Sequence, residues 1–207
     1  CIKSQAIEGI SFDRVMKELD LMCKEKKWIE NFALCNKFGM IELDINYLGI
    51  KSQLEDYANN INLRILNIFY ALKNDKYIDA FIGNSFLDKD LKRSMKYYYC
   101  NKDKIIELLM KTIDNYQIYK ILKSVDLYGL ILCGWNSKVT YKVMNYFYNL
   151  KDIRLDVDGK FLNSLNISSG KNMGKILKNI LRLKLNMGIK YDKEYLLRNL
   201  GEITKCL

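Results

Sequence analysis

The residues best suited to chemistry lie between Gly159 and Tyr191. This stretch holds seven cations (Lys160, Lys171, Lys175, Lys178, Arg182, Lys184 and Lys190) and no Asp or Glu. Within it, Ser168-Ser169-Gly170 forms a turn ahead of an amphipathic run from Lys171 to Met187. At 100° per residue, Lys171, Lys175, Lys178 and Arg182 fall within roughly a 60° sector of a helix. Met173, Ile176, Leu177, Ile180, Leu183 and Met187 gather on the far side, where Lys184 interrupts the apolar face and Leu181 and Leu185 fall off its centre. The small residues Ser169 and Gly170 leave backbone amides open to a phosphate. A turn that presents amides, followed by a row of cations, holds a nucleic-acid backbone without reading bases. The same periodicity also describes an ordinary amphipathic helix with a lysine-rich solvated face.

Other constellations are weaker. Asp156-x-Asp158 pairs two carboxylates, but Phe161 stands where a calcium loop needs glycine and the later ligands are missing, so it reads as a turn and no metal site is expected. The chain has no histidine, which excludes His-based triads and His–metal hydrolases. Neither GxxxxGK[ST] nor GxGxxG occurs, so no P-loop or dinucleotide fingerprint is present. The six cysteines (Cys1, Cys23, Cys35, Cys100, Cys133, Cys206) form no CxxC pair and sit mostly among apolar neighbours, as buried free thiols do. Arg14 and Glu18 stand at i and i+4 and can pair on one helix face. Lys89, Lys92, Arg93 and Lys96 lead into Tyr97-Tyr98-Tyr99, with Lys102 and Lys104 beyond. Cations beside aromatics can grip RNA, but tyrosines at helix ends are more often packing, and the patch is read as packing.

The elements that must carry these residues are helical throughout. Spacing predicts helices over 11–24, 28–38 (stopping at Gly39), 54–73, 87–98, 103–114, 117–132, 139–150 and 171–187. Only Arg154 to Val157 looks briefly strand-like. The absence of proline suits long helices, and the fold class is all-α. A net charge of +10 and a pI near 9.2 fit a polyanionic partner, or a basic surface that is merely solvated. No signal peptide is visible and the longest apolar run, Leu127 to Trp135, is too short to span a bilayer. A reduced, cytoplasmic protein without membrane contact is expected. Because the chain begins at Cys1 rather than Met, it is expected to be a fragment or a processed product.

Residues 152–177 resemble a known tail signature. Gly159-Lys-Phe-Leu162, Leu165-Asn-Ile167, Ser168-Ser-Gly170 and Gly174-Lys-Ile-Leu177 follow the order of the Gly-x-Asp-Leu, Leu-Gly-Ile, Pro-Gly-Pro and Gly-Lys-Ile-Leu steps of class II tRNA nucleotidyltransferases, the CCA-adding enzymes and related bacterial poly(A) polymerases. Both prolines of the turn are absent, and Phe161 replaces the Asp. Ile10-Ser-Phe-Asp-Arg-Val-Met-Lys-Glu-Leu19 is similar to that family's Ile-Ser-x-Glu-Arg-Ile-x-x-Glu-Leu neck motif, and residues 34–43 resemble the helix after it.

The resemblance implies an elongated helical array: the end of a neck (1–30), a body (31–150) and a tRNA-binding tail (151–207), with a soft boundary near 149–152. It implies tRNA as partner, held through Ser169, Gly170, Lys171, Lys175, Lys178 and Arg182, with Arg14 and Glu18 as a structural pair in the neck. The catalytic head, with its Mg²⁺ and CTP/ATP, would lie upstream of Cys1, so this chain would carry no cofactor and be inactive alone. Two alternatives remain: a helical protein-interaction scaffold, and the RNA-binding part of a poly(A) polymerase.

Overall fold

The computed structural model describes residues 12–49, 60–83, 87–167 and 170–205. Among them the chain forms α1 (Phe12–Lys24), α2 (Trp28–Lys37), α3 (Ile61–Ala71), α4 (Asp75–Gly83), α5 (Lys89–Lys111) and α6 (Asn115–Leu122). There follow α7 (Leu127–Gly134), α8 (Thr140–Asn145), a π-helical turn (Tyr146–Leu150), α9 (Gly159–Ser164), α10 (Lys171–Met187) and α11 (Asp192–Lys205). The fold is all-α. The one β feature among the described residues is an isolated antiparallel bridge, Leu43 to Leu72.

Local chemistry sets the helix ends. After α2, Gly39 takes φ +70°, its amide donates to Asn36 O and the Met40 amide donates to Cys35 O. This paired closure needs a left-handed residue, which glycine supplies without strain. Of the helix expected over 54–73, residues 54–59 lie outside the described residues, and α3 starts at Ile61. Asn60 is extended and its side chain accepts from the Asn62 amide, capping the start of α3. The two helices expected over 87–98 and 103–114 are one, α5, because nothing between Tyr98 and Asp103 breaks a helix. The single helix expected over 117–132 is two, since the Asp126 side chain accepts from the Gly129 amide and starts α7 afresh. Helices α4 and α9 were not expected; both are short, at nine and six residues. Among the described residues the strand-like 154–157 segment pairs with no strand; its Asp156 amide donates to the Asp192 carboxylate instead.

The chain divides into two compact units. The first comprises the described residues up to Ile106 together with Val125–Tyr141. Its interior includes Phe32, Leu63, Leu66, Ile68, Leu91, Met95, Ile131 and Leu132, all essentially without solvent contact. Arg64 ties α3 to the end of α1, its Nη1 donating to Cys23 O and Glu25 O while its guanidinium lies 6.0 Å from the Trp28 ring centre. Buried Asn67 is satisfied on both sides, accepting from the Gly49 amide and donating to Tyr47 O. The Cys23 and Cys133 thiols are buried, and burial pushes each up to about 12. Cys35 is half-buried and Cys100 is exposed.

The second unit comprises Glu107–Ser124 and the chain from Lys142 onward. Its core is Val157, Leu162, Ile176, Ile180 and Leu196, flanked by Phe161, Leu165, Met173 and Tyr195. Here α10 packs against both α11 and α6. The start of α6 is pinned to the end of α10: Asn115 Nδ2 donates to Leu185 O, and the Tyr116 amide to Asn186 Oδ1. Lys142 caps the end of α5, its ammonium donating to the carbonyls of Leu109 (2.6 Å), Met110 (3.3 Å) and Thr112 (2.6 Å).

Candidate nucleic-acid interface

Helix α10 occupies the span its spacing predicts, and its two faces separate as the charges require. Lys171, Lys175, Lys178 and Arg182 are all exposed, while Ile176 and Ile180 enter the core. The packed face differs at its C-terminal end. Leu185 is buried and Met187 is 69% exposed, the reverse of the periodicity reading, because α6 docks against the last turn at Leu185 rather than at Met187.

Gly170 is the residue before the first turn of α10, at φ +131° and with no side-chain cap. An L side chain at that φ is strained, although the space around its Cβ position is open. The first-turn amides of the helix therefore face no capping side chain from this position. Ser169 lies outside the described residues.

Lys184, which interrupts the apolar stripe, is explained by Asp192. The Asp192 carboxylate is fully buried at the start of α11, with Lys184 Nζ at 3.4 Å and the Asp156 amide at 2.9 Å. Lys184 also reaches Asp156 Oδ2 at 3.2 Å. Burial raises the Asp192 pKa, but hydrogen bonds with Asp156, the Lys184 ammonium and the Val157 amide prevail and hold it below the usual carboxylate value. Lys184 is thus neutralised inside the unit, and the charge of α10 is left on the outward stripe. Among the described residues Lys171, Lys178 and Arg182 form no ion pair. Asp158, the second carboxylate of the Asp-x-Asp pair, caps α9 by accepting from the Phe161 amide.

Packing adds a cation that spacing along one helix cannot show. Lys120 on α6 is exposed, its ammonium 5.9 Å from the ring centre of Tyr116. Burial raises the Tyr116 pKa, and the positive charge of Arg182 on α10 counters it. Helix α6, which carries exposed Lys120, packs against α10.

In the first unit, Arg14 and Glu18 are both exposed on α1, where the ion pair described is Lys24 with Asp20. The tyrosine patch separates by residue. Tyr98 is buried, Tyr97 is exposed and Tyr99 is half-buried with Lys102 Nζ 5.2 Å from its ring centre.

The fold is an all-α array with known counterparts. It is similar to a structure described as a tRNA-processing enzyme in an apo form, with TM-score 0.59 and 16% identity over 86% of this chain and 50% of that one. It is also similar to the Thermotoga maritima CCA-adding enzyme complexed with tRNA, with TM-score 0.60 and 16% identity over 98% of this chain and 54% of that one. A CCA-adding enzyme in complex with ATP matches at TM-score 0.60 and 17% identity, over 97% of this chain and 53% of that one. The chain spans about half the length of each of these structures. No family model and no curated protein matches it.

Proposed function

We propose that this chain is a tRNA-holding helical region of a CCA-adding type of nucleotidyltransferase, in which catalysis belongs to a head outside these 207 residues. The observation that carries the reading is the outward cationic stripe of α10 on a fold like that of a CCA-adding enzyme complexed with tRNA. Lys171, Lys175, Lys178 and Arg182, with Lys120 on the adjoining helix α6, neutralise phosphates of a duplex backbone. The Gly170 turn and the first amides of α10 receive one further phosphate, with Ser169, next to Gly170 in sequence, as a further contact. In this reading residues 1–30 end a neck, 31–150 form a body and 151–207 a tail, and Arg14 with Glu18 supports the neck helix.

The test is filter binding to folded tRNA and to an unstructured RNA of equal length, at about 50 and 200 mM salt. Preference for tRNA with a steep salt dependence is expected. Replacing Lys171, Lys175, Lys178 and Arg182 together by Gln flattens the dependence while leaving helicity unchanged. Equal, feeble binding to both RNAs would sink the reading and favour a protein-interaction scaffold. Preference for the unstructured RNA's 3′ end would favour a poly(A) polymerase.

A further inference from the structure

The first unit contains a cleft of about 260 Å³ between the end of α3, α4 and the middle of α5. Its walls are aromatic: Tyr47, Tyr70, Tyr98 and Tyr99 all line it. Tyr70 is the hub. Its ring lies edge-on to Tyr47 at 5.2 Å and to Trp135 at 5.5 Å, and a hydrogen bond joins its hydroxyl to that of Tyr98. Tyr99 is held from both ends, its hydroxyl donating to Asp75 Oδ1 at 2.8 Å and its ring facing the Lys102 ammonium. At the rim stand one cation, Lys102, one exposed carboxylate, Asp103, and the Asn136 side chain. Asn136 Oδ1 accepts from the Lys138 amide, which leaves its amide nitrogen to donate.

These groups select a ligand class. Aromatic walls that are already fixed by their neighbours suit a flat ring system, because little side-chain freedom remains to be lost on binding. A single cation beside the rings suits one phosphate. A carboxylate at the rim accepts from an exocyclic amine. The volume falls just below the range of about 300–1,000 Å³ usual for drug-sized ligands, so one ring system with its sugar fits and a dinucleotide does not.

We propose that this cleft binds one nucleotide, its base among the tyrosine rings, its phosphate on Lys102 and an amino group of its base on Asp103. The site is separate from the basic face of α10 and does not depend on it. The occupant is either a free nucleotide or one unpaired nucleotide of an RNA strand.

Isothermal titration with AMP, UMP and a single-stranded A-rich hexanucleotide separates these sources. Saturable binding of AMP, tighter than UMP, is expected for a free nucleotide. Binding of the hexanucleotide alone identifies a strand nucleotide as the occupant. In either case Lys102→Ala and Tyr99→Leu each weaken binding about tenfold. Tyr99→Phe keeps the ring and therefore the affinity, while circular dichroism confirms that every variant is folded. Titration of the protein with all four α10 cations changed to Gln leaves mononucleotide binding unaltered, so failure here and failure of the tRNA reading are distinguishable. The proposal is overturned if neither nucleotides nor hexanucleotide saturate, or if Lys102→Ala and Tyr99→Leu bind as the parent does.

Discussion

At the scale of single residues, the second unit depends on a buried charge. Asp192 has no solvent contact and is balanced by Lys184 and by the Asp156 amide. Removing one member of such a group leaves the other charge buried, which costs more than the pair contributes. Asp192→Asn should destabilise the protein by about 2–3 kcal/mol at pH 7, read from urea unfolding. The sign with pH follows from its lowered pKa. The carboxylate's contribution is complete above its unfolded value of about 4 and is lost as pH falls through the lower folded value. Parent and Asn variant should therefore converge in stability towards pH 3, and parallel curves would remove Asp192 from this role. Lys142 has a related task at the end of α5, where its ammonium serves three carbonyls. Lys142→Met keeps the apolar stem and should cost about 1–2 kcal/mol, with the loss visible as fraying of α5 in amide exchange.

At the scale of elements, Asp126 divides what spacing presents as one helix. Its carboxylate caps α7 through the Gly129 amide and accepts from buried Ser94 Oγ at 2.6 Å on α5. Asp126→Ala should lower the midpoint of thermal unfolding through a loss of about 1–2 kcal/mol, and Asp126→Asn should recover most of it. The helices legible in the sequence are those with a long apolar stripe: α1, α2 and α10 fall within a residue or so of their predicted spans. The ends at Asn60 and Asp126 carried readable capping residues, yet the apolar pattern continues across both and outweighs them in a reading by periodicity. Between Tyr98 and Asp103 a polar interval imitated a break that the backbone does not make. Helix α4 has only nine residues, too few to establish a period. The outward position of the α10 cations was legible because it follows from 3.6-residue geometry alone. Lys120 and the use of Leu185 rather than Met187 were not, since both depend on where α6 docks. The mixed fate of Tyr97, Tyr98 and Tyr99 likewise follows from neighbours on α3 and α4 that no local pattern identifies.

At the scale of the whole molecule, the net charge of +10 is distributed unevenly. Cations and carboxylates pair along α1, α5 and α11, at Lys24–Asp20, Arg93–Asp90 and Arg198–Glu194, whereas α10 carries no acidic residue. Among the described residues no helix is long and apolar enough to cross a membrane. Backbone binding through the α10 cations and Lys120 predicts a logarithmic salt slope on the order of −4 to −5 for tRNA, and Lys120→Gln should reduce its magnitude by about one without changing sequence preference. A slope near zero would show that the basic face meets no phosphates. The unequal burial of the thiols has a practical consequence. Cys23 and Cys133 are enclosed, with burial holding both at about 12, while Cys100 is exposed on α5 one residue from Tyr99. With Cys1, Cys35 and Cys206 replaced by serine, a maleimide dye would attach at Cys100 alone, and its emission would report in real time when the neighbouring tyrosine cleft fills and empties.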